Sequence, residues 1–121
     1  MLFRSPSTVT TIGRGILNGC TSLVDLTVPF LGKTESESFA LGYFFTSTTD
    51  NTASKVPATL EKLTVTASML KDSALYNCAY LKEIYLPNAT TIGKDAFKNC
   101  KALTKVSIPK LTTLGANAFY L

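Results

Sequence analysis

Three thiols, eight carboxylates and one glycine-rich run are the groups in this chain whose types and spacing invite a chemical reading. Cys20, Cys78 and Cys100 lie 58 and 22 residues apart, which fits no C-x-x-C metal or redox motif. Histidine is absent, so a Ser-His-Asp triad, a Cys-His pair and a histidine-ligated zinc are all beyond this chain alone. The carboxylates are scattered, with no local pair suited to glycoside hydrolysis. Gly13-Arg14-Gly15 with Gly19 approaches a phosphate-binding loop but misses G-x-G-x-x-G by one residue, and it lacks the strand before and the acid beyond. Asn88-Ala89-Thr90 is a glycosylation triplet of use only in a eukaryotic secretory host. These residues predict no catalytic group, no metal ligand and no cofactor. The chain reads as a binding or scaffolding domain, not an enzyme.

Length, charge and hydropathy narrow that reading. At 121 residues the chain is one small domain, and its 45% apolar content is enough for a packed core. The net charge of +4 is too small for a polyphosphate binder, so no nucleic acid partner is expected. Basic and acidic groups balance up to residue 81. The excess lies in Lys82, Lys94, Lys98, Lys101, Lys105 and Lys110, which face only Glu83 and Asp95. Such an end attracts an anionic surface, a glycan or an acidic protein, or it simply keeps a repetitive protein soluble. No apolar run reaches the roughly 18–20 residues a spanning helix needs, so no membrane insertion is expected. The first residues lack the pattern of a signal peptide, which suits either a cytoplasmic protein or part of a longer secreted one.

The elements that position these groups follow from an internal repeat. Leu81, Ile84, Leu86, Pro87, Ile92, Gly93, Ala96 and Phe97 each recur 22 residues later, as Leu103, Val106, Ile108, Pro109, Leu114, Gly115, Ala118 and Phe119. Leu70, Ala74, Leu75, Asn77 and Cys78 precede their counterparts by the same interval, and Leu60, Leu63 and Val65 precede theirs by 21. Ile12-Gly13, Leu17, Cys20, Leu23, Leu26, Val28 and Pro29 repeat the unit near the start. Eight matches at one offset define a repeat. Within each unit, alternating apolar residues predict a strand with one buried face, ended by proline, which has no N–H to donate. A second extended piece follows (Val9–Ile12, Ala89–Ile92, Leu111–Leu114). A glycine then turns the chain, and Lys94–Asn99 is expected to form a short helical turn with Ala96, Phe97 and Cys100 inward. One such coil cannot cover its own apolar side. Stacking coils about 4.8 Å apart solves this and predicts a solenoid.

Aligned strands supply a check. Asp25, Lys62, Glu83 and Lys105 share one position and alternate in sign, so a parallel stack sets each beside its opposite. Exposed pairs of this kind contribute only about 0.2–1 kcal/mol each, enough to favour one register. Thr27, Thr64, Tyr85 and Ser107 form the next outward row. The cysteines share an inward position. Cys78 and Cys100 are within reach of a disulfide by coil spacing, but small inward thiols side by side suit that slot as free structural residues.

These residues resemble the BspA-like (Treponema pallidum-type) leucine-rich repeat family, whose unit runs L-x-x-I-x-L-P and then I-G-x-x-A-F-x-x-C. Ile92-Gly93, Ala96-Phe97, Cys100, Leu103, Val106, Ile108 and Pro109 match it. Leu17 stands where the unit has Phe, Lys71 where it has Gly, and the last unit stops at Leu121 before its cysteine. The stretch from Val28 to Leu60 resembles an extended coil common in these proteins. The resemblance implies large proteins of the bacterial surface, secreted or wall-attached, several of them adhesive to host proteins or other cells.

The expectation is therefore an α/β repeat solenoid, with a parallel sheet on one face and short helical turns on the other. It forms one domain over 1–121, with coils at about 8–30, 31–69, 70–91, 92–113 and a partial 114–121, and is part of a longer protein. Its expected role is a noncatalytic module of a cell-surface or secreted adhesin-like protein. The expected partner is a host or bacterial surface protein or a glycan; the alternative role is a structural spacer. Two surfaces are candidates for binding. Insertions in solenoids often dock partners, so Phe39, Tyr43 and Phe44 of the wide coil (with Phe45) offer an aromatic anchor, unless they fill its core. Lys94, Lys98 and Lys101 with the strand-face Tyr85 form the second, unless the lysines are merely solvated. Neither end shows a polar cap, so either the chain is a slice of a longer array or its open edges associate edge to edge.

Overall fold

The computed structural model describes residues 2–6 and 8–120. Its strands are β1 (Leu2–Arg4), β2 (Asp25–Val28), β3 (Lys62–Val65), β4 (Met69–Leu70), β5 (Glu83–Tyr85), β6 (Thr91–Ile92), β7 (Lys105–Ser107) and β8 (Thr113–Leu114). They form two parallel sheets, ordered β1-β2-β3-β5-β7 and β4-β6-β8. The chain is a continuous stack of coils, as the repeat requires. In the larger sheet Phe3, Leu26, Leu63, Ile84 and Val106 are register partners in one inward column. Leu26, Leu63 and Ile84 are wholly buried, each contributing about 1.5–3 kcal/mol of apolar burial.

Strand β1 lies ahead of the first coil expected from sequence. Phe3 pairs with Leu26, which sets Ser5 and Pro6 where later coils carry Leu86 and Pro87. The second extended piece forms as expected at β6 and β8, and also at β4. Val9–Ile12 does not join that sheet. The wide coil supplies a loop closed by the Gly32–Ser38 bridge instead of a strand, and the Ile12 N–H donates to Lys33 O at 2.8 Å.

The helical turns require correction. Lys94–Asn99 is not a helix, because Asp95 (φ 57°) and Asn99 (φ 63°) are left-handed, as are Ser73, Asn77 and Asn117. Asn and Asp tolerate this region better than other residues with a Cβ, and Gly15 and Gly19 supply it in the first coil. The consequence is a third ladder. A helix would have used these N–H groups within the coil; here Ser73, Leu75 and Asn77 donate to Lys94, Ala96 and Lys98 at 2.9, 2.8 and 2.9 Å. Asp95, Phe97 and Asn99 donate likewise to Ala116, Ala118 and Tyr120 at 3.1, 2.7 and 2.8 Å. The helical segments among the described residues are the 3₁₀ turns Leu41–Phe45 and Ala53–Lys55, both in the wide coil.

Gly93 and Gly115 do not turn the chain either. Neither has positive φ; each sits where a Cβ would lie 2.4 Å from backbone of the preceding coil. Their role is close approach. We predict that Gly93→Ala lowers unfolding stability by about 1–3 kcal/mol through overpacking. Gly13→Ala, where a Cβ meets nothing within 4 Å, should stay within about 0.5 kcal/mol. Urea unfolding compares the two, and equal losses would contradict close packing at Gly93.

Candidate binding surfaces

The outward strand face follows the expected register: Asp25, Lys62, Glu83 and Lys105 are successive partners. Their charges pair only in part. Lys62 Nζ lies 3.9 Å from Asp25 Oδ2. Glu83 instead accepts a hydrogen bond from the Tyr85 hydroxyl, two residues along its own strand. Lys62 and Lys105 then lie over the Tyr85 ring, with Nζ 5.1 and 5.5 Å from its centroid. A ring between two ammonium groups gains about 0.5–1 kcal/mol per cation at an exposed site. The result is a half-exposed ring flanked by two ammonium groups, its hydroxyl held by Glu83.

The wide coil folds its aromatics inward. Tyr43 and Phe44 are buried and Phe39 half-buried, so the reading of Tyr43 and Phe44 as an exposed anchor is corrected in favour of core. The enlarged coil encloses more volume, which only large side chains fill to native density. Tyr43 donates its hydroxyl to Ile12 O at 2.9 Å, as a buried phenol must. Phe39 stacks on Tyr43 with centroids 4.8 Å apart, and the Arg14 guanidinium covers both rings. Arg14 also donates to Thr48 O at 2.6 Å and to Asn51 Oδ1. The glycine-rich run is thereby explained. Arg14 ties the first coil to the insertion, and Gly15 is left-handed where a Cβ would lie 2.7 Å from Thr46 O.

Within the lysine triplet, Lys94 and Lys101 are exposed and Lys98 is half-buried. Lys98 is held between two rings, with Nζ 5.7 Å from the Tyr76 centroid and 5.3 Å from that of Tyr120. Sequence reasoning overlooked this column. The signal was present, since 76, 98 and 120 are spaced by 22, but its members are chemically unlike.

Two of the three thiols face the interior. All three are unpaired, with Cys78 and Cys100 buried and Cys20 half-buried. Burial, with the neighbouring Cys100, pushes the Cys78 thiol far above its ordinary value, and burial raises Cys100 from 9.0 to about 11. Cys100 Sγ donates to Leu75 O at 3.2 Å. Among the described residues, no group of three or more Cys, Asp and Glu converges as a metal site.

Parallel strands, asparagine-bearing turns and a rigid side-chain face define a repeat solenoid of the leucine-rich type. The sequence matches the family described as BspA type leucine rich repeat region in six copies across residues 2–121. The chain belongs to that family. No curated protein and no solved structure gives a significant match.

The buried thiols set a measurable pattern. At neutral pH an alkylating reagent should modify Cys20 in the folded chain and all three thiols in denaturant; equal labelling of the folded chain would contradict it. Because folding raises the Cys100 pKa, that thiol's contribution to stability is complete below 9.0 and is lost progressively between 9.0 and about 11. Urea titrations across that range should show a smaller loss for Cys100→Ala than for the native chain.

Proposed function

We propose that this chain is a noncatalytic binding module of a bacterial cell-surface or secreted protein, recognising a surface protein or a glycan. The observation that carries this reading is the strand face, where Tyr85 is fixed by Glu83 beneath its hydroxyl and by Lys62 and Lys105 across its ring. Presenting a partner with an ordered group avoids much of the entropy cost of immobilising it on binding. Membership in a repeat family of surface proteins supports the same conclusion. Binding to immobilised matrix proteins, glycans and whole cells, read by surface plasmon resonance, tests it. Saturable binding weakened about tenfold by Tyr85→Ala, the scale of one interface hot spot, is the expected result. An absence of saturable binding across all three overturns it.

A second reading, a structural spacer, has its own support. Lys82 pairs with Glu61 at 3.0 Å, Asn99 donates to Asn77 at 2.9 Å, and Lys62 pairs with Asp25, all from coil to coil. Much polar surface is thus committed to stacking. Only the spacer predicts failure in every binding assay.

We further propose that the coil carrying β7 and β8 docks a second copy of this chain. Val106, Leu114 and Phe119 are 38%, 50% and 39% exposed, whereas Ile84, Ile92 and Phe97 on the preceding coil are buried. In support, β1 carries Phe3 in the row that Val106 occupies, so a second copy would continue that column. Such a contact is head-to-tail and open-ended. Light scattering across dilution should show mass rising with concentration; a constant monomer mass would remove this contact.

A further inference from the structure

We infer that two adjoining clefts on the turn side of the coils, between the 3₁₀ turn Ala53–Lys55 and the coil that follows it, form a binding site for a neutral oligosaccharide. The clefts hold about 440 and 510 Å³ and share Thr52, Ala53 and Asn77 in their walls. Tyr76 lines one and Tyr80 the other; the two residues are 36% and 51% exposed and stand four apart, on successive turns. Together they make an elongated trough with an aromatic group at each part.

Two features select the ligand class. No charged side chain lines either cleft, although the chain carries 20 charged residues. Lys98 lies against one wall, but over the Tyr76 and Tyr120 rings. The walls instead offer tyrosine rings beside amide and hydroxyl groups, Asn51, Asn77, Thr52 and Ser54 among them. A pyranose has the matching chemistry, with a C–H-rich face to lie on a ring and equatorial hydroxyls to exchange hydrogen bonds with amides.

The walls are also ordered before any ligand arrives. Lys98, from the following coil, lies over the Tyr76 ring. Asn77 is held by Asn99 Nδ2, which donates to its Oδ1 at 2.9 Å, and this leaves the Asn77 amide N–H₂ group for a ligand oxygen. Asn51 Oδ1 is held by Arg14 in the same way. The Thr52 and Ser54 hydroxyls are 2.7 Å apart and bonded to one another. The insertion thus contributes one wall and the regular repeat the other.

This inference rests on the binding-module reading and names its ligand class and place. Calorimetric titration of the chain with cellohexaose, maltohexaose and chitohexaose tests it, with a heparin oligosaccharide as the polyanion. Saturable binding of at least one neutral hexasaccharide is expected, weakened about tenfold by Tyr76→Ala and by Tyr80→Ala and unchanged by Lys110→Ala. Ala53→Trp, which fills the shared wall, should abolish binding while circular dichroism stays native. No neutral hexasaccharide bound, heparin alone bound, or binding indifferent to all three cleft variants would each overturn the inference. A matrix protein bound with no hexasaccharide would overturn it and leave the binding-module reading standing.

Discussion

Backbone pairing between stacked coils is the constraint on which the molecule depends. From Met69 onward each coil meets the next along three lines: the larger parallel sheet, the smaller one and the ladder of turns. The two sheets fix the inward columns, because a parallel strand that slips by one residue turns its buried set outward. The turn ladder is less usual. It needs left-handed residues at regular intervals, which Asn, Asp and Gly provide, and it needs glycine where Gly93 and Gly115 let one backbone rest on another. Burial then follows from pairing. The core is a set of columns, each residue covered by its equivalents above and below, and only the terminal coils leave theirs open.

The wide coil shows what happens when that regularity is interrupted. Its main strand keeps register, with β3 between β2 and β5, and its 3₁₀ turn Leu41–Phe45 keeps the third ladder continuous through Gly15, Leu17 and Leu41. The smaller sheet is where continuity fails. The extra residues emerge there and return, and their aromatics are drawn into the enlarged interior under Arg14. On the outside, the clefts lined by Tyr76 and Tyr80 lie between the 3₁₀ turn Ala53–Lys55 of this coil and the coil that follows.

The stacking was legible in the sequence because it depends on spacing alone. Leu26, Leu63, Ile84 and Val106 could be aligned by counting, and the structure places them in one column. Strand β1 escaped notice because Ser5 occupies an apolar position, although Pro6 with Val9-Thr10-Thr11-Ile12 mirrors Pro87 with Ala89-Thr90-Thr91-Ile92. The turns were misjudged for a different reason. Composition at Lys94–Asn99 suits a helical turn, and only the demand for inter-coil hydrogen bonds selects left-handed Asp95 and Asn99 instead. Surface chemistry was the least legible. Counting set Glu83 beside lysines, yet the nearer Tyr85 hydroxyl takes its carboxylate, and the Tyr76–Lys98–Tyr120 column joins residues that no motif would group.

Function, on this account, comes from side chains that the stack holds still. The strand face and the tyrosine clefts belong to one stack, and each loses its geometry if the coils do not lie in register. That register is open to direct measurement. In a Cys20→Ala background, dibromobimane, which bridges only adjacent thiols, should link Thr27→Cys to Thr64→Cys rapidly, since these residues are partners on neighbouring strands. Thr27→Cys with Tyr85→Cys, one strand further away, should remain unbridged. Equal bridging of the two pairs, or none of the first, would contradict the stacked arrangement.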